Sequence, residues 1–101
     1  MDLEIIRPAA GGPATLAVTG FIDLGTRQAL VERGMALLAE EGALTLDLSA
    51  VEFMDSTGIG ALIELAKACE QQGSTFAVCA VSPRARRVLE VTGLADAWSP
   101  A

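Results

Sequence analysis

Residues 46–62 join a buried-strand pattern to an amphipathic-helix pattern with very little chain between them. Leu46-Asp47-Leu48 closes an apolar run over residues 43–48, and from Ile59 the apolar side chains recur as Ile59, Leu62, Ile63, Ala66 and Cys69. The run is what a central strand covered on at least one face looks like, and the recurrence is helical spacing. Between them stands Asp55-Ser56-Thr57-Gly58, a helix-start signal. The spacing predicts a helix that begins within a residue or two of Ser56, runs to about Gln72 and stops at Gly73.

That corner has chemical consequences. A helix N-terminus leaves backbone N–H groups unpaired and carries partial positive charge, so a phosphate on Ser56 would meet an anion-compatible site. Asp55, Ser56 and Thr57 are also good N-caps, and most such clusters do nothing but cap. The residues alone permit both readings.

Around the corner, strand and helix patterns alternate. Residues 3–6 and 16–18 are short β-prone segments joined by the turn-rich stretch 8–13, which suits an antiparallel hairpin. Gly20-Phe21-Ile22-Asp23 is expected to turn, with Asp23 capping a helix that starts at Leu24, runs through Leu30, Val31, Leu37 and Leu38 to Glu41, and stops at Gly42. Gly34 inside that helix points to close approach by another element or to drift. After the Ser56 helix come a strand at 75–81 and a third helix, opened by Ser82-Pro83 and ended at Gly93. Trp98 is expected to pack a final short segment against the body. Helices between successive strands imply parallel pairing. The expected fold is therefore α/β: a mixed four- to five-stranded sheet with an N-terminal antiparallel edge hairpin, parallel later strands and packed helices.

The 101 residues amount to one domain, expected to span 1–101, which buries roughly two-thirds of its unfolded surface. A net charge of −6 argues against nucleic acid and anionic membranes as partners. No apolar run approaches a membrane span and no signal peptide is visible, so a cytoplasmic location is expected. Cys69 and Cys79 are expected to be free, buried thiols. With no His and no Cys-x-x-Cys, neither a metal nor a cofactor is expected.

Enzymatic motifs fail on inspection. Gly58-Ile59-Gly60 opens a helix after a strand, but Ile63 occupies the place of the third dinucleotide-binding glycine. Asp55-Ser56-Thr57-Gly58 has one residue too many for an aspartic-protease loop and has no second copy. A nucleophilic Ser56 lacks a histidine base, and Lys67 is not obviously aimed at it. The chain is expected not to be an enzyme. Arg84, Arg86 and Arg87 form a basic cluster on the third helix, read as a solvated face.

Taken together, residues 46–60 closely resemble the signature of STAS domains, the sulphate transporter and anti-sigma factor antagonist domains. Gly20-Phe21-Ile22-Asp23, Ser82-Pro83-Arg84 and the run Val88-Leu89-Glu90-Val91-Thr92-Gly93-Leu94 agree in order, so the resemblance covers essentially the whole chain. It implies a stand-alone bacterial anti-sigma factor antagonist. By that resemblance Ser56 is the residue phosphorylated by an anti-sigma factor serine kinase, with Thr57 the second choice of acceptor, and a serine phosphatase reverses the step. The unphosphorylated form would bind the kinase and release the sigma factor. The implied switch and partner surface comprises Asp23, Asp55, Ser56, Thr57, Gly58, Ile59 and Gly60. Phe21 departs from the family pattern, which often carries Glu there. The alternative is a small cytoplasmic STAS subunit acting as scaffold for an ABC-type lipid transporter.

Overall fold

The computed structural model describes residues 1–94 and Trp98. Its elements run β1 (Asp2–Ile6), β2 (Thr15–Ile22), α1 (Arg27–Glu41), β3 (Leu44–Met54), α2 (Ser56–Gln71), β4 (Phe76–Val81) and α3 (Pro83–Val91). The four strands form one sheet in sequential order. β1 pairs with β2 antiparallel, while β2–β3 and β3–β4 are parallel, as the α1 and α2 crossovers require. The mixed sheet with its N-terminal antiparallel edge is the architecture expected from the alternation.

Side-chain alternation puts the core on one face of this sheet. Leu16 and Val18 of β2 and Leu44, Leu46 and Leu48 of β3 are buried. They meet Leu30, Leu37 and Leu38 of α1, Leu62 and Leu65 of α2, and Ala85 and Leu89 of α3 in one cluster. Gly34 is where α1 and α2 touch: a Cβ there would lie 2.7 Å from Leu65 Cδ2, so close approach is the reason for the glycine. Arg27 and Glu64 bridge the same two helices at 3.2 Å. On α2 the buried stripe is Ile59, Ala61, Leu62, Leu65 and Cys69; Ile63 and Ala66 are only half-buried.

Three boundaries differ from expectation. β2 continues through Gly20, Phe21 and Ile22 instead of turning. Gly20, at φ 91°, sits where the β2–β3 register shifts, so the glycine serves an irregularity inside the strand. β3 extends six residues beyond Leu48, because pairing with β2 persists to Ile22–Met54. Residues 17 and 19 pair with 47 and 50, and residues 20 and 21 with 51 and 53, so β3 carries an extra residue at each shift and loses its two-residue period. α1 begins at Arg27, with Thr26 in place of Asp23 as its N-cap. Asp23 instead closes a turn, its Oδ1 accepting from the Gly25 N–H at 3.0 Å, while its own N–H donates to Thr26 Oγ1 at 2.9 Å.

Cys69 is buried as expected, but Cys79 is exposed, since it falls on the outer phase of β4. Burial raises the Cys69 thiol above its ordinary value; Cys79 is raised by desolvation first and then by the nearby Asp47 carboxylate. The Trp98 ring packs edge-on to Phe76 at 5.3 Å, and the remainder of the expected final segment lies outside the described residues. Among the described residues no helix is long and apolar enough to cross a membrane.

Candidate functional site

The site is built at the C-terminal end of the two central parallel strands. Ile22 and Met54 are register partners, so the next residue of each strand, Asp23 and Asp55, leaves the sheet beside the other. Adjacent strands lie about 4.8 Å apart. The first turn of α2 is locked against this end by Gly58. A Cβ on that residue would sit 2.6 Å from Met54 Cγ, 2.9 Å from Ile22 Cγ2 and 3.0 Å from the Ile22 carbonyl oxygen.

Asp55 settles which side chain caps α2. Its Oδ1 accepts the N–H of Thr57 at 2.9 Å and that of Gly58 at 3.3 Å, satisfying two donors at the helix start. The cap leaves the Ser56 hydroxyl outside it, on an exposed first helical residue. Thr57 is half-buried, Gly58 and Ile59 turn into the core, and Gly60 faces open space. Of the residues singled out from sequence, Asp23, Asp55, Ser56 and Thr57 therefore gather at one end of the sheet. Gly58 and Ile59 shape that end from within. Leu24, 77% exposed, and Phe21, half exposed with its ring tilted against that of its register partner Phe53 at 5.6 Å, add apolar surface at the same end.

On the other side of Ser56 lies a cleft of about 400 Å³. It is lined by Met54, Asp55 and Ser56 from the β3–α2 corner and by Arg84, Arg87, Val88, Val91 and Thr92 from α3 and its C-terminal end. α3 reaches this place because β4 pairs beside β3, and the Ser82 N–H donates to the Leu48 carbonyl at 3.0 Å. Ser82 Oγ then caps α3 by accepting from the Ala85 N–H at 3.1 Å. Arg84 and Arg87 are three residues apart and Val88 and Val91 continue the same face, whereas Arg86 does not line the cleft. Among the described residues neither Arg84 nor Arg87 forms an ion pair. Two of the three arginines read as a solvated face thus border the Ser56 hydroxyl; their three-residue spacing was visible, but the strand order that carries α3 there was not.

The exposed hydroxyl sits at a strand-to-helix corner of a small α/β module built on a one-sided four-stranded sheet. The chain belongs to the STAS domain family, whose model matches residues 4–98. It is 36% identical over 80 residues to the anti-sigma-B factor antagonists of Listeria monocytogenes and of Bacillus subtilis, which spans 78% of this chain and 70% and 72% of theirs. Among solved structures it is similar to an anti-sigma factor antagonist from Mycobacterium paratuberculosis, with a TM-score of 0.81 and 31% identity over 99% of this chain and 86% of that one.

Proposed function

We propose that this protein is an anti-sigma factor antagonist that works in the cytoplasm by partner switching. Unphosphorylated, it binds an anti-sigma factor serine kinase and frees the sigma factor; phosphorylation of Ser56 ends that binding, and a serine phosphatase restores it. The observation that carries this reading is the division of labour at the start of α2, where Asp55 makes the cap and the Ser56 hydroxyl stays exposed for modification. The anti-sigma factor antagonists among its relatives support the choice of partner.

The charge arithmetic favours a local switch. A phosphoserine carries about −1.5 to −2 charge at neutral pH. Two like unit charges ~5 Å apart at an effective dielectric of ~20 repel by roughly 3 kcal/mol, and exposure to solvent reduces this. Repulsion of this order between the phosphate and acidic residues of a partner is enough to weaken an interface without refolding the domain. The test is calorimetric titration of the cognate kinase, in ADP, with wild type, Ser56→Ala and Ser56→Asp. Wild type and Ser56→Ala are expected to bind alike and Ser56→Asp at least tenfold more weakly. Equal binding by all three overturns the reading.

A further inference from the structure

We infer that Arg84 and Arg87 receive the Ser56 phosphate within the same molecule, forming a two-arginine clamp across the cleft. The inference rests on Ser56 being the phosphorylated residue and adds where its phosphate goes. Ser56 lines the same cleft as Arg84 and Arg87, and neither arginine has a carboxylate partner among the described residues. Guanidinium forks match phosphate oxygens two at a time, which a lone ammonium cannot do.

Among the described residues the opposing charge lining the cleft is Asp55, whose carboxylate is already engaged by the Thr57 and Gly58 N–H groups. Two cations therefore face one carboxylate and the arriving dianion. In the unmodified protein the arginines, unpaired among the described residues, lie beside Met54, Val88 and Val91, a cationic and apolar surface open to an acidic segment of a partner. Once the phosphate holds them, they lie across those side chains and their charge is spent internally. The clamp so turns one modification into two losses for a partner, its cationic contacts and its access to the apolar floor.

The test is a ³¹P NMR pH titration of protein carrying phosphoserine installed at position 56 during translation, which needs no native kinase. An ordinary phosphoserine loses its second proton with a pKa of about 6. Clamping is expected to lower this by about one unit. In R84Q/R87Q the value is expected to return by most of that unit, in R84K/R87K to fall between, and in R86Q to stay lowered. The α2 N-terminus acts alike in all four proteins, so the differences isolate the two arginines. Superimposable titrations of the parent and R84Q/R87Q overturn the clamp, as does an equal rise in R86Q. The ¹⁵N-HSQC spectrum of each variant checks that it is folded. A lowered phosphate pKa alongside undiminished kinase binding by Ser56→Asp would leave the clamp standing and remove the partner-switching reading alone.

Discussion

At the scale of single residues, Asp55 makes the α2 cap and its neighbour Ser56 stands outside it, so substitution separates the cap from the proposed phosphorylation site. Loss of an N-cap carboxylate costs about 1 kcal/mol, whereas an exposed side chain outside the cap changes stability by at most about 0.5 kcal/mol. Asp55→Ala is therefore expected to lower the stability measured by urea unfolding by about 1 kcal/mol, with Ser56→Ala unchanged. Comparable losses in both would mean that the serine shares the cap. This assignment was not legible in the sequence, because Asp55, Ser56 and Thr57 are all competent caps and only backbone geometry chooses among them. At the other corner the same ambiguity resolved differently: Asp23 reads as a cap, but its carboxylate and N–H serve the Gly25–Thr26 turn, and α1 starts at Arg27.

Between the elements, contact distances give the α2 glycines opposite roles. Gly58 faces Met54 Cγ at 2.6 Å and the Ile22 side chain and carbonyl at 2.9 and 3.0 Å, so an added methyl forces movement at Ile22 and Met54. Overpacking costs about 1–3 kcal/mol, against about 1 kcal/mol gained from helix propensity. Gly60 has nothing within 4 Å and keeps only the gain. Thermal unfolding should show Gly58→Ala with a lower Tm than wild type and Gly60→Ala with a higher one; the reverse order would contradict the packing of β2 against α2. The elements themselves were legible wherever a period survived, as in Ile59, Leu62 and Cys69 on α2 or Leu44, Leu46 and Leu48 on β3. Strand length was not, since the extra residues that β3 carries against β2 erase alternation after Leu48, and Gly20 resembles turn punctuation while lying inside a strand.

Across the whole molecule, the site depends on strand order. Sequential pairing β1-β2-β3-β4 sets Asp23 beside Asp55 and then brings α3, with Arg84 and Arg87, to the cleft. No local pattern announces that meeting, which is why the hydroxyl was legible and its arginine neighbours were not. Because the Ser56 hydroxyl lies on an exposed first helical residue outside the core, phosphorylation is expected to leave the far-UV circular dichroism unchanged. Amide shifts should concentrate at the Asp23 turn, the first turn of α2 and α3. Comparable shifts along β1 would indicate a global rearrangement. The Phe76–Trp98 contact also governs what light can report. The chain has one Trp and no Tyr, and Phe76 opens β4 opposite Leu44, at the end of β3 about 30 Å of strand away from Ser56. Intrinsic emission is thus a gauge of how the tryptophan seats on the sheet and is optically deaf to events at the Ser56 corner, so a fluorescent readout of the proposed switch needs a dye placed at that end.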